Sequence, residues 1–327
     1  MVLVSTFAMA MLSACTEDRL KRAEVAPVQT ISDARLVNID SIVLDKMNRI
    51  FVSDIHSVKV FSADGSLLNV IGEQGAGDGQ FVNEVIGLAI NSNEELYAVD
   101  QDQSRIQVFD LEGNHLRSFG QKGEGDGQFL VPQGIAVDSK DLVYVTDMGR
   151  SDLQVFSRNG EFLYQIARAG DGAAELKEPE SMAIRDEQLF VADEGHFRIQ
   201  IFGMRGEHQG HLPRSGAFAL GKEMESDLDD MPSYSEVDKR YERFYDSDIE
   251  GIAFDDRGVL YALNEDAGEV MVMRDQAQIG VFTSTIPITS GDGMAFDADF
   301  ERLYIVDQSN ATIQVFDTAE IYRLLGL

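Results

Sequence analysis

The fold is decided by two consecutive stretches, GDGQFVNEVIGLAINSNEELYAVDQDQSRIQVFDLEGNHLRSFG (77–120) and GDGQFLVPQGIAVDSKDLVYVTDMGRSDLQVFSRNGEFLYQIA (125–167). Each contains a glycine turn, a short apolar run, a polar turn and a strand that ends in aspartate. A loop, an alternating strand, a second glycine turn and a last strand follow. Repetition at a period of roughly 20–50 residues indicates an array of one structural unit. The unit here consists of four strands.

The same unit recurs along the chain, because two independent columns of residues keep nearly the same spacing. The small residue that opens the first strand recurs at intervals of 46, 47, 47, 70 and 42 residues. The acid or amide that closes the second strand recurs at intervals of 46, 47, 46, 71 and 43. Their agreement predicts six repeats. The small column is Ser41, Gly87, Gly134, Ser181, Gly251 and Gly293, and the closing column is Asp54, Asp100, Asp147, Asp193, Asn264 and Asp307.

The strand segments indicate an all-β fold. IQVFD (106–110) and IQIF (199–202) alternate apolar and polar residues, which is the pattern of a half-buried strand. GIAVD (134–138) is continuously apolar, as expected of an innermost strand. One four-stranded unit cannot bury both faces, so the units must stack around an axis. We therefore predict a six-bladed β-propeller of four-stranded blades over 31–327.

Two structural details follow from this arrangement. The last repeat has three clear strands, and we expect the N-terminal segment, rather than the tail 319–327, to complete its blade. Recurrence of the closing acids in nearly every blade favours a structural role, since a short acidic side chain at a strand end accepts loop N–H groups. Core packing between blades is predicted for Phe109, Phe156, Phe202 and Phe316.

The turn GDGQF, followed by GIAVD, YVTD (144–147) and RIQVFD (105–110), resembles the NHL repeat. The resemblance covers about 31–327 and places the chain in the NHL/TolB-like class of propellers. It implies an interaction surface on the face where the loops enter the innermost strands, which we call the channel mouth. It also implies a binding function for a protein or small-molecule ligand.

The net charge excludes several functions. The chain has 27 Lys and Arg against 57 Asp and Glu, a net charge of −30. Such an acidic protein repels phosphate backbones, so we expect no nucleic-acid partner. The single cysteine excludes an intramolecular disulfide, and the absence of tryptophan excludes repeats with a Trp-Asp signature. We expect a monomer.

The N-terminus is apolar over MVLVSTFAMAML (1–12) and continues as Leu-Ser-Ala-Cys (12–15). The run is too short to span a bilayer but fits a secretion signal. The motif resembles the lipobox of bacterial lipoproteins, which implies a signal peptide over 1–15 and lipidation of Cys15. Thr16 then favours the periplasmic face of the outer membrane, with 16–30 as a tether and the lipid as the only membrane contact. The alternative is a buried helix with an incidental thiol.

A ring of acids is predicted at the channel mouth. The residue before each small anchor residue lies on that face, and four of the six are carboxylates. Like charges held together raise each other's pKa, and calcium takes roughly six to eight oxygen ligands. We predict a metal site with calcium as the candidate cofactor; the alternative is a solvated polar rim. The main ligands are Glu250 and Asp292, assisted by Glu180 and Asp40; the two other positions are Ile86 and Gln133.

The openings of the last two blades, Ile-Glu-Gly-Ile-Ala (249–253) and Gly-Asp-Gly-Met-Ala (291–295), resemble those of calcium-dependent propeller hydrolases. These are the β-propeller phytases and the gluconolactonase-type lactonases. The resemblance implies that Glu250 and Asp292 are acidic ligands of calcium. The phytase signature Asp-Asp-Pro-Ala is missing. The implied activity is hydrolysis of phosphate esters, esters or lactones.

One interval of 70 residues shows that about 24 residues are inserted within 213–248. Long loops in compact domains are usually functional or disordered. The segment is either a lid or partner-binding arm, with Tyr241 and Tyr245 as binding candidates, or a solvated acidic loop. Gln133 and His196 are further binding candidates at the mouth, although a local hydrogen bond is the simpler role for His196.

Three hypotheses remain open from the sequence, and the third of them is a structural cation with no chemistry. The leading hypothesis is an envelope-anchored binding module that uses its channel mouth. The alternative is a calcium-dependent hydrolase, in which the ion polarises the substrate oxygen and lowers the pKa of a bound water. No Gly-x-Ser-x-Gly elbow is present, so a serine hydrolase of that type has no support.

Overall fold

The computed structural model describes residues 21–212, 249–265, 267–275 and 277–327. Cys15, the signal segment 1–15 and the insertion 213–248 with Tyr241 and Tyr245 lie outside the described residues. Within the described ranges, no helix is both long and apolar enough to cross a membrane.

Two strands precede the first repeat, and both are built into the propeller. Strand β1 (Lys21–Val25) pairs in parallel with a strand of the fifth blade, and β2 (Gln29–Ser32) pairs antiparallel with a strand of the sixth. The N-terminal segment therefore completes the last blade, as predicted. The predicted tether over 16–30 is wrong from Lys21 onwards, because the backbone of β1 and β2 is hydrogen-bonded into two blades.

Blades 1 to 3 each contain four antiparallel strands in sequence order from the axis outwards. Two short parallel strands, β7 (Glu73–Gln74) and β8 (Gln80–Phe81), shape the glycine turn between the first two blades. Blade 1 consists of β3 (Ile42–Leu44), β4 (Ile50–Asp54), β5 (Ser57–Phe61) and β6 (Leu67–Ile71). Blade 2 consists of β9 (Val85–Ile90), β10 (Glu95–Asp100), β11 (Arg105–Asp110) and β12 (His115–Phe119). Blade 3 consists of β13 (Pro132–Val137), β14 (Val143–Asp147), β15 (Asp152–Phe156) and β16 (Phe162–Ala167).

Blades 4 to 6 repeat this order, with β1 as a fifth strand of blade 5 and β2 as the outer strand of blade 6. A 3₁₀ turn (Glu194–His196) interrupts blade 4 and an α-helix, α1 (Thr318–Leu325), ends the chain. Blade 4 consists of β17 (Pro179–Arg185), β18 (Gln188–Asp193), β19 (Arg198–Gly203) and β20 (His208–Leu212). In blade 5, β1 joins β21 (Ile249–Phe254), β22 (Leu260–Asn264), β23 (Glu269–Arg274) and β24 (Ala277–Ser284). In blade 6, β2 joins β25 (Met294–Phe296), β26 (Arg302–Asp307) and β27 (Thr312–Asp317).

The hydrophobic core lies between the blades. Each apolar cluster joins two neighbouring blades; Tyr97 and Val99 of blade 2 pack with Ile135 and Val145 of blade 3, for example. The β25 strand contacts β3, so the ring closes between the last blade and the first. The predicted core role of the recurrent phenylalanines is confirmed, since all four are at most 1% exposed: Phe109, Phe156, Phe202 and Phe316.

The closing acids fix the loops at the channel mouth. The carboxylate of Asp147 accepts N–H groups from Leu130 and Val131 at 2.7 and 2.9 Å. Asp193 accepts the Lys177 N–H at 2.8 Å in the same way. These bonds tie the loop that enters a blade to the end of its second strand. The closing acids therefore have a structural role, because their hydrogen bonds hold the first residues of the inner strands in place.

Candidate functional site

The inner strands of the six blades surround a cavity of about 260 Å³ on the propeller axis. Each blade contributes three consecutive residues from the start of its inner strand. At the mouth, the lining residues are the six positions predicted from the repeat spacing: Asp40, Ile86, Gln133, Glu180, Glu250 and Asp292.

Hydrogen bonds between neighbouring blades hold these positions. The Thr146 hydroxyl of blade 3 donates to the Glu180 carbonyl of blade 4 at 2.6 Å and accepts the Gly134 N–H at 2.8 Å. Ser41 of blade 1 accepts the Leu88 N–H of blade 2 at 3.2 Å through its hydroxyl. These bonds anchor the backbone at the start of the inner strands. The side chains of the six mouth positions are therefore positioned by the rigid ring and not by mobile loops.

Three glutamates lie closest together. Glu180, Glu194 and Glu250 place one carboxylate oxygen each within 4.8 Å of one another. Glu194 was missed by the sequence analysis, because it belongs to the 3₁₀ turn after β18 and not to an inner strand. A signal was available, since Glu194 directly follows the closing acid Asp193, whose loop also lies at the mouth. The corresponding residue of blade 5 is Glu265.

A chain of amide side chains leads to this group. Gln133 donates through Nε2 to the carboxylate of Glu180 at 2.7 Å. Gln101, which follows the closing acid of blade 2, donates to the side-chain oxygen of Gln133. The structure therefore brings Gln133 to the mouth as predicted and orients it toward Glu180.

The other two predicted acids, Asp40 and Asp292, line the same cavity but lie outside the group of three glutamates. Burial, with Glu265 and Asp307 nearby, raises the pKa of Asp292 to about 7. Burial also raises the pKa of Asp40 well above its usual range, and the carboxylates of Asp292 and Glu180 add to that effect. Neighbouring negative charges thus make full ionisation of the mouth unfavourable in the absence of a cation.

The raised pKa of Asp292 predicts a pH-dependent loss of stability. The folded pKa lies above the unfolded value, so the native state binds more protons between about pH 4 and 7 and stability falls as the pH rises through that window. We expect Asp292→Asn to raise the free energy of unfolding by about 2 kcal/mol at pH 8 in chelator, and by much less at pH 4.5. Thermal melts at both pH values measure the difference.

The matched control for this prediction is Asp126→Asn, which removes an exposed carboxylate from a glycine turn. We expect it to leave the melting temperature nearly unchanged at both pH values, because exposed surface substitutions usually shift stability by less than about 0.5 kcal/mol. Equal stabilisation by Asp292→Asn at pH 4.5 and pH 8 would contradict a titrating origin.

His196 takes a local role in the described structure. Its Nδ1 lies 2.9 Å from the carboxylate of Asp193 and its Nε2 lies 3.4 Å from Asp171. It does not line the axial cavity. The structure thus pairs His196 with Asp193, in the same 3₁₀ turn as Glu194 and outside the lining of the cavity.

The chemistry of the cavity suits a positively charged ligand. Four of its lining residues are carboxylates, and among the described residues that line it none is Lys, Arg or His. Carboxylate oxygens are hard ligands of the kind that calcium prefers. The fold and the site together define a six-bladed β-propeller with an acidic channel mouth.

The comparisons with known proteins agree with this class. A family model described as "6-bladed beta-propeller" (DUF5128) matches residues 13–119 and 136–212, more than half of the chain. The chain belongs to this family of six-bladed propellers. A search of curated proteins gave no match.

Solved structures share the fold at low sequence identity. A catalytically inactive histidine-to-alanine variant of virginiamycin B lyase from Staphylococcus aureus, determined with quinupristin, is 12% identical, with a TM-score of 0.56 over 88% of this chain and 87% of that chain. A streptogramin B lyase structure is 10% identical, with a TM-score of 0.57 over 88% and 86% of the two chains. At this identity the likeness shows the fold alone.

Proposed function

We propose that the protein is a binding module that holds a cationic ligand at its channel mouth, with calcium as the first candidate. The observation that supports this proposal is the group formed by Glu180, Glu194 and Glu250, whose oxygens lie within reach of one ion. Three bidentate carboxylates supply about six oxygens, the lower end of the number that calcium takes. Asp40 and Asp292 add negative charge around the same cavity.

The module would act from the cell envelope. We propose that Cys15 carries the lipid that holds it there, on the sequence resemblance described above, and that the ligand is a small molecule or a protein that reaches the mouth. Lyase activity is not carried over from the structural relatives. The virginiamycin B lyase variant is inactive because a histidine is replaced by alanine. The described residues that line the cavity of the present protein include no histidine.

Calcium binding is expected to stabilise the native state. A ligand that binds only the folded protein adds about 2.7 kcal/mol at a hundredfold excess over its Kd. We expect calcium chloride to raise the melting temperature of the wild type by several degrees over the value in chelator. Glu250→Gln is expected to abolish most of that shift, because it removes a charged ligand from the group of three. Isothermal titration with calcium measures the affinity directly.

Glu161→Gln is the matched control, since Glu161 is exposed in a turn of blade 3 far from the cavity. It should keep the wild-type response to calcium. A wild-type melting temperature that is the same in calcium and in chelator would reject the calcium proposal. A calcium shift that persists in Glu250→Gln would place the ion elsewhere.

A calcium-dependent hydrolase is the second candidate, and the pKa of Asp292 favours it. A carboxylate with a pKa near neutrality, beside a group able to hold a metal ion, is suited to act as a general base. Calcium-dependent turnover of 4-nitrophenyl phosphate, 4-nitrophenyl acetate or a lactone, lost in Asp292→Asn, would support this activity. Calcium binding without turnover of any of these substrates would reject the hydrolase and favour the binding module.

A further inference from the structure

The first described strand shows where the N-terminal segment leaves the propeller. Strand β1 is parallel to β24, with Lys21 beside Gly280 and Val25 beside Ser284. As the fourth strand of its blade, β24 begins at a hairpin on the face opposite the channel mouth and ends in the loop that leads to the mouth. The chain therefore enters β1 from the side of that opposite face.

We call this opposite side the hairpin face. It consists of helix α1 and the six turns that join the first and second strands of the blades. The turns span residues 45–49, 91–95, 138–142, 185–188, 255–259 and 297–302.

Contacts of the C-terminal helix place the start of β1 on the hairpin face. The Lys21 ammonium group donates to the carbonyl of Gly326, directly after α1, at 2.8 Å. The helix itself is fixed at this face, because the Tyr322 hydroxyl donates to Asp255 in the turn of blade 5. The Arg257 guanidinium stacks over the Tyr322 ring at 4.3 Å. Both ends of the described chain thus lie on the side away from the mouth.

The distance from Lys21 to Cys15 limits where a lipid could attach. Cys15 lies six positions before Lys21, and at about 3.3–3.6 Å per residue the connection spans roughly 22 Å at most. Blade strands of about five or six residues are themselves roughly 17–20 Å long. Even a fully extended connection is therefore about as long as a blade is tall, and it starts on the hairpin face.

We propose that the hairpin face of the propeller rests against the lipid bilayer and that the acidic channel mouth points away from it. The inference rests on the proposed lipid anchor at Cys15. The mouth is then open to soluble ligands or partner proteins and not to lipids.

Two single-cysteine probes in the same blade test the orientation. Met47 is 81% exposed on the hairpin face of blade 1, and Val37 is 61% exposed in the loop at its mouth. The full chain, produced with residues 1–15 in a bacterial host, is purified as Met47→Cys or Val37→Cys and labelled with one fluorophore. Lipidation blocks the thiol of Cys15, so only the introduced cysteine reacts. The proteins are then reconstituted into vesicles that contain spin-labelled headgroup lipids.

We expect the spin labels to quench the probe at Met47→Cys and to leave the probe at Val37→Cys at its intensity in unlabelled vesicles. Equal quenching at both positions, or stronger quenching at Val37→Cys, would overturn the orientation. A protein that stays in the soluble fraction with a reactive Cys15 would overturn the membrane contact itself. Neither result bears on calcium binding, which the melting experiment measures separately on protein that lacks residues 1–20.

Discussion

A protein truncated to residues 33–327 is expected to lose its cooperative unfolding transition. The truncation removes β2, the fourth strand of blade 6, and leaves the edge of β27 without its partner. Ile31, which is 3% exposed, packs with Ile313 and Val315 in the cluster that joins blade 6 to blade 1. Folded domains are stable by only about 5–15 kcal/mol, so the loss of a strand at the ring closure is expected to open the ring. Calorimetry and near-ultraviolet circular dichroism measure the result.

Two longer forms are the controls. Residues 21–327 contain every described strand and should unfold cooperatively. Residues 29–327 lack β1 but keep β2, so they should fold with a lower melting temperature, because blade 5 loses its fifth strand and the contact of Val25 with the core. A cooperative transition for 33–327 at the temperature of 21–327 would show that β2 is dispensable for closure.

Gly87→Ala is a point substitution with a large expected effect on stability. A Cβ atom on Gly87 would lie 2.5 Å from the carbonyl oxygen of Gln133 in the next blade, and 3.0 Å from a methyl group of Val99. Inner strands must separate to admit it, and overpacking of this kind costs about 1–3 kcal/mol or more. We expect a melting temperature lower by several degrees and, since Gln133 bonds to Glu180, weaker calcium binding as well.

Gly77→Ala tests whether the effect arises from close packing at the axis. Gly77 is exposed in a turn, and the nearest atom to its added Cβ is the end of the flexible Gln80 side chain at 3.0 Å. That variant should melt near the wild type. If the two alanine variants melt at the same temperature, the small column does not serve close approach of the inner strands.

Repetition is the reason that the architecture could be predicted. Six copies of one pattern give two independent columns, and a period of two residues in the strands permits only a β structure. Even the mouth could be located, because the residue before each small anchor must share its face. Asp40, Glu180, Glu250 and Asp292 therefore line one cavity as expected.

Features that do not repeat could not be predicted in the same way. Glu194 joins the acidic group because a single 3₁₀ turn follows β18 in blade 4. β1 pairs with blade 5 across more than 250 residues of sequence, in a segment whose polar composition resembles a tether. Both depend on contacts between segments that are remote in the chain or unique to one blade.

The sequence by itself determined the number of blades, the strand pattern and the acidic character of the channel mouth, since each of these follows from local periodicity repeated six times. Only the tertiary structure decided which carboxylates approach one another and that β1 adds a fifth strand to blade 5. It also decided on which face the N-terminal segment emerges. The physical reason is that these properties depend on distances between blades, which are set by close packing of the inner strands around the axis and not by any local pattern.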